Sequence, residues 1–326
     1  MSLESEARAL LGGIDEAGLG PLLGPLVVAG VLMEGPSGQN PWDLLDAGFC
    51  RKATSRKDRR IRVDDSKKVK TGKSGRAQLE RSALCFLAAR HGAIPSNLAE
   101  LLRLDVHGAQ EWWLDYPWYS DAADVPLPMW NEAPTLELEL HQAERCLRRA
   151  EVSLRAVAFH SVHVMAFNRL IERHDNKSLA HFDASLPVIG INLDAQPSEQ
   201  GPSQRRIVVD RHGGRAHYLP LLRRAWPQRG FEILEERKER SRYRVFRGAE
   251  LIFSENAEAF AFPCAAASCL AKYVRELLIA QINAFFAARH PGLKETAGYY
   301  QDGRRFLGEL GADAQGPWRA QLLRIR

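Results

Sequence analysis

The chain of 326 residues is 45% hydrophobic and 26% charged, with a formal net charge of +5. This composition suits one large globular domain or two average ones, with ample material for a core. No stretch nears the roughly 18 apolar residues of a membrane span, no signal-peptide pattern opens the chain, and neither the dinucleotide nor the P-loop glycine pattern occurs. A membrane protein and an enzyme with a nucleotide cofactor are therefore not expected. The five cysteines, Cys50, Cys85, Cys146, Cys264 and Cys269, lack the close paired spacing of a zinc site. Buried thiols in a reducing cytosol account for them, and a cytoplasmic monomer is expected.

In chain order, residues 1–10 read as a short helical or frayed lead-in. Two apolar runs, up to Ile14 and from Leu26 to Met33, are joined by Asp15-Glu16-Ala17-Gly18-Leu19-Gly20-Pro21 and Gly24-Pro25. That pattern predicts paired strands with a glycine-punctuated turn. Between Arg51 and Arg76, twelve basic residues face only Asp58, Asp64 and Asp65. A second basic stretch runs from Arg205 to Arg247. Two such stretches point to a polyanionic partner, since Lys and Arg clusters release counterions from phosphates. Asp65 and Ser66 either cap the helix predicted over 75–90, or Ser66 and Lys67 hold a phosphate.

From 91 to 134 the periodicity weakens, and Trp112, Trp113, Trp118 and Trp130 crowd among prolines. They form either a stacking surface for bases or, as favoured here, the private core of an inserted segment within a single domain over 1–326. A helix over 136–149, a strand over 153–159 and a further helix follow, an alternation that argues for α/β layers. Pro187 to Leu193 reads as a strand, 194–204 as a polar loop, and Phe231 to Val245 as a strand pair. Ala257 to Arg289 is the longest helical region.

Acids recur at apolar run ends. Asp15 and Glu16 close the first run, and Asp210 closes Ile207-Val208-Val209. Either these acids cap turns, or they gather around a divalent ion, because a carboxylate in apolar surroundings is costly unless paired or metal-bound. Glu276 shares a helical face with Ser268 and Lys272 and either pairs with Lys272 or joins the acids.

These residues resemble a known family. Gly13 to Pro21 with Gly24-Pro25, then Asp65-Ser66-Lys67-Lys68, Val208-Val209-Asp210, and Ala266 to Lys272 through Arg275-Glu276 are similar, block by block and in order, to ribonuclease HII. Asn256-Ala257-Glu258 is closer to the sister family, ribonuclease HIII. The resemblance implies an α/β ribonuclease H-like fold, a mixed central sheet flanked by helices. It implies Asp15, Glu16, Asp210 and Glu276 as catalytic ligands of two Mg²⁺ or Mn²⁺ ions, and an RNA–DNA hybrid or another nucleic acid as partner. Gly18, Gly20, Ser66, Lys67, Lys272 and Tyr299 would bind substrate. Hard oxygen donors suit those ions, and a two-ion site can activate water and steady a phosphodiester. The chain departs from the pattern twice. Glu276 stands where the family has Asp, and Leu19 stands where ribonuclease HII has arginine. A leucine cannot hold a phosphate, which bears on a single ribonucleotide in DNA more than on a continuous hybrid. The competing classes are a catalytically weak nucleic-acid-binding protein and a nuclease of this fold with another substrate.

Overall fold

The first two apolar runs pair across the glycine turn. In the computed structural model, which describes residues 7–55, 57–198, 204–246 and 248–325, strands β1 (Arg8–Ala17) and β2 (Leu26–Pro36) are antiparallel neighbours. Along β2, Val27, Ala29 and Val31 enter one core and Leu26 and Val28 the other, following the two-residue period of a strand. Helices cover both faces, which is why β2 is continuously apolar rather than alternating.

The chain continues through a short helix α1 (Pro41–Leu44), the two-residue strands β3 (Phe49–Cys50) and β4 (Ile61–Arg62), and helices α2 (Ser66–Val69), α3 (Gly75–His91), α4 (Leu98–Arg103) and α5 (Ala133–Arg149). Strand β5 (Ser153–Val162), helices α6 (Val164–His174) and α7 (Lys177–Asp194), strand β6 (Gln204–Asp210) and helix α8 (Leu219–Ala225) follow. Strands β7 (Phe231–Glu236), β8 (Arg240–Val245) and β9 (Ala249–Ser254) complete the sheet, before helices α9 (Phe262–Ala287), α10 (Tyr300–Leu310) and α11 (Arg319–Leu322).

The central sheet is mixed, in the order β5-β2-β1-β6-β9-β8-β7. Among the described residues of this sheet, β1–β6 and β6–β9 are the parallel pairs, and the separate β3–β4 pair is parallel too. Three adjacent strands, β1, β6 and β9, therefore end on the same edge. Crevices at the carboxyl ends of parallel strands are where open α/β sheets bind ligands. The mixed sheet flanked by helices matches the expected fold class. Trp112, Trp113 and Trp118 are buried and join the same core as α3 and α9, with Trp118 packed on Phe285 and Phe286.

Several local expectations are corrected. Pro187 to Leu193 is not a strand but the second half of α7. Asn176 caps that helix by accepting from Leu179 N at 3.0 Å, and the buried His181, Ala184, Ser185, Val188 and Asn192 recur at helical spacing. The local run of β-branched residues around a proline misleads because packing decides the outcome. The helical lead-in is strand from Arg8 onward, and its residues 1–6 lie outside the described residues. The polar loop likewise falls partly outside them, at 199–203. Strand β9 and helix α10 had no counterpart in the sequence reading.

Candidate metal centre

Helix α9 runs alongside β1 and sets the site. At Gly13, an added Cβ would lie 2.0 Å from the Cys264 backbone nitrogen, so the first turn of α9 rests directly on the strand. At Gly18, an added Cβ would lie 2.3 Å from Arg275 Nε. Eleven residues of helix and five of strand both span roughly 16 Å, so the two elements keep pace. Between these contacts the Ser268 hydroxyl hydrogen-bonds Asp15 and accepts from Ser66 N at 3.2 Å. Gly13→Ala is expected to lower stability by about 2–3 kcal/mol, the scale of an overpacked core, measured by thermal unfolding.

Asp15 and Glu16 lie just before Ala17 at the end of β1, and Asp210 closes the parallel neighbour β6. Each of the three offers an oxygen within 4.8 Å of the others. Consecutive strand residues face opposite ways, and both acids lie within β1, opposite Ala29 and Val28 of β2, yet each still brings an oxygen to the same cluster. Asp15 Oδ1 accepts from Glu16 N at 2.7 Å, and Asp210 Oδ1 accepts from Ala257 N at 3.3 Å.

The electrostatics are those of a site short of positive charge. Burial, then the charges of Glu16 and Asp210, push Asp15 well above the usual carboxylate range. Burial and the Glu16 charge push Asp210 up to about 7. Burial also presses Glu16 upward, but His181 outweighs it, its Nε2 lying 3.4 Å from Glu16 Oε2, and holds Glu16 below its ordinary value. Like charges kept apart by protons are what a divalent cation would replace.

The sign of the pH dependence follows. Folded Asp15 and Asp210 keep protons that the unfolded chain releases near pH 4, so this contribution favours the fold at low pH and is lost as pH rises toward 7. Cation binding must displace those protons. The dissociation constant for Mn²⁺ is expected to tighten at least about tenfold per pH unit between pH 6 and 7 and to level off only once both acids have lost their protons, measured by titration calorimetry.

Glu276 is not brought to this trio. It lies eight residues beyond Ser268, about 12 Å along the helix. Its carboxylate meets Lys70 Nζ at 2.6 Å, Lys272 Nζ at 2.9 Å and Arg76 Nε at 3.6 Å. Burial would raise it, but Lys272 and Lys70 prevail and bring it to about 2. The acid that does act on the trio is Glu258, in the turn Ala257–Ala259, whose charge helps raise Asp210 and Cys264. That turn is held by Arg51, which donates to the carbonyls of Glu258 at 3.4 Å and Ala259 at 2.6 Å.

The expected substrate residues divide. Ser66 offers its backbone N–H to Ser268, Lys67 is exposed, and its charge acts on the buried Lys272. Tyr299 is 47% exposed, its ring 6.0 Å from Lys272 Nζ and 5.9 Å from the Arg275 guanidinium. The preceding Gly298 carbonyl accepts from Leu22 N at 2.7 Å, so the glycine turn and Tyr299 lie side by side. Gly18 is pressed on Arg275, whereas Gly20 faces open space. His181 went unrecognised because its helix read partly as a strand. Glu258 was noted only as a family likeness. Much of the second basic stretch is internally paired, Arg211 with Glu255, Arg240 with Glu235 and Arg242 with Glu250. Among the described residues, no helix is long and apolar enough to cross a membrane, and all five cysteines are buried and free.

No protein-family model matches the sequence, and no curated protein matches it. Among solved structures, the chain is similar to the ribonuclease HII of Archaeoglobus fulgidus in its complex with PCNA, at 16% identity over 97% of this chain and 94% of that one, with a TM-score of 0.46. It is similar to the ribonuclease H2 of Pyrococcus horikoshii, at 16% identity over 94% of this chain and 89% of that one, TM-score 0.44. It is also similar to Bst ribonuclease HIII in complex with Mn²⁺, at 12% identity over 98% of this chain and 67% of that one, TM-score 0.36. What the site can do is set by its own residues.

Proposed function

We propose that this chain is a metal-dependent endonuclease that hydrolyses the RNA strand of RNA–DNA hybrids, leaving 5′-phosphate and 3′-hydroxyl ends. The observation that carries this reading is the convergence of Asp15, Glu16 and Asp210 at the ends of adjacent parallel strands, with oxygens within 4.8 Å of one another. An all-oxygen, all-anionic donor set fits Mg²⁺ or Mn²⁺. Asp15, Glu16 and Asp210 would hold the ions, with Glu258 as the fourth acid in place of Glu276. When bound, such ions supply charge stabilisation to a phosphodiester and lower the pKa of water.

The rest falls to the chain itself. His181 keeps Glu16 ionised, and Ser268 fixes the orientation of Asp15. Lys67, exposed, offers positive charge to the substrate backbone, and Tyr299 offers an exposed ring beside Lys272 for a sugar. Gly20, with no neighbour where a Cβ would stand, lets a ribose approach the backbone.

The test is a panel of end-labelled substrates, namely an RNA–DNA hybrid, a DNA duplex with one ribonucleotide, single-stranded RNA and duplex DNA, each with Mg²⁺ or Mn²⁺. Cutting of the hybrid's RNA strand with 5′-phosphate ends is expected, and weaker cutting at the single ribonucleotide. Tight hybrid binding without metal-dependent cutting would favour a binding protein instead.

A further inference from the structure

Beside the glycine turn is a cavity of about 360 Å³ whose lining includes Gly20, Phe167, Lys177, Tyr300 and Arg324. Arg324 reaches it from the far end of the chain. Its backbone N–H donates to Leu22 O at 3.0 Å, and Leu323 bridges to Leu23. The residue is only 3% exposed. Its Nε donates to Gly24 O at 2.7 Å and its Nη1 to Gly18 O at 2.5 Å, while the guanidinium stands 4.5 Å from the centre of the Phe167 ring. Its Nη2 has no hydrogen-bond partner among the described residues.

A second guanidinium lies under the same turn. Arg275 is fully buried and donates through Nη2 to Leu23 O at 3.3 Å and Ala297 O at 3.1 Å, and its Nε and Nη1 have no hydrogen-bond partner among the described residues. Burial, and then the charge of Arg275, disfavour the charged form of Arg324, and Tyr119 opposes them weakly. A buried cation facing another cation, with an orphaned N–H, is costly unless an anion completes it. The cavity rim adds Lys177, the first residue of the 18-residue helix α7, whose N-terminal end favours negative charge.

We propose that this cavity is a binding subsite for a phosphate group, with Arg324 as its buried cation and Lys177 with the α7 N-terminus at its rim. Positive charge that the turn lacks at Leu19 is then supplied from beneath it. The nucleic-acid reading above enters only as one source of the phosphate, a backbone phosphate of the substrate. The other source is free phosphate.

The experiment has two arms on the full chain. In the first, without nucleic acid or added metal, thermal unfolding is followed in inorganic phosphate against chloride at equal ionic strength. The wild type is expected to gain several degrees in a saturable way, and Lys177→Ala, an exposed substitution, to lose most of that gain. Arg324→Met is the companion variant, expected to lose it entirely. In the second arm, hybrid binding in EDTA is measured across salt concentrations. Lys177→Ala is expected to weaken binding about tenfold and to reduce the slope of log affinity against log salt by about 1, one phosphate contact. Loss of the phosphate gain with an unchanged slope assigns the subsite to free phosphate and leaves it standing. A wild type that gains nothing from phosphate, together with an unchanged slope, overturns the proposal.

Discussion

Asp15→Asn is expected to abolish metal-dependent hydrolysis while making the metal-free protein more stable. The first half follows from the position of Asp15, between Glu16 and Asp210 and in contact with both in charge. Removing its charge takes away several kcal/mol of ion binding and charge stabilisation, a loss of at least about 10³-fold in kcat. The second half follows from the same crowding. Folded Asp15 stays protonated where the unfolded chain is ionised, so the fold is penalised at neutral pH. Asparagine removes the penalty, and a gain of about 1–2 kcal/mol is expected at pH 7, shrinking as pH falls through the ordinary carboxylate range and gone at about pH 3, where both states are largely protonated. Thermal unfolding at the two pH values, alongside single-turnover cleavage, checks both halves. A variant that loses activity and stability together would mean that Asp15 is a structural residue.

Glu258→Gln and Glu276→Gln are expected to fail in opposite ways. Glu276 is 2% exposed in its side chain and neutralises Lys272 and Lys70, whose own burial already disfavours their charge. Its loss leaves two partly buried ammonium groups unpaired, an expected cost of about 3 kcal/mol in stability with little change in metal affinity. Because Glu276 is held near 2, the stability it supplies is present above about pH 4.5 and is lost as pH falls toward 2. Glu258 carries no ion pair among the described residues, and its backbone carbonyl, not its carboxylate, is what Arg51 grips. Glu258→Gln should therefore leave the melting temperature nearly unchanged and weaken Mn²⁺ binding about tenfold or more. Calorimetric titration and unfolding of the two variants separate these outcomes. Intact Mn²⁺ affinity in Glu258→Gln with lost affinity in a folded Glu276→Gln would return the fourth role to Glu276.

The two acids also show how far the sequence could be read. Asp15, Glu16 and Gly18 were legible because their signal is local, an apolar run broken by acids and glycines. Asp210 was legible for the same reason, as a second strand-end acid. The helical face shared by Ser268, Lys272 and Glu276 was read correctly, but a face is not a position. Ser268 touches Asp15, and two turns further on Glu276 has passed the acids and reached the lysines. His181 could not be found while Pro187 to Leu193 looked like a strand. That Leu19 stands where the resembled family has arginine was visible in the sequence. The guanidinium beneath the turn was not, because Arg324 and Gly18 are 306 positions apart and only the folded chain joins them.

The most direct test of the central claim is Mn²⁺ binding to the full chain at pH 7.5, followed by electron paramagnetic resonance and calorimetry, for the wild type, Asp15→Asn and Asp210→Asn. Saturable binding with proton release, weakened at least tenfold in both variants, is the predicted result. Absence of binding at millimolar Mn²⁺, or equal binding by all three proteins, would contradict a metal centre built on Asp15, Glu16 and Asp210.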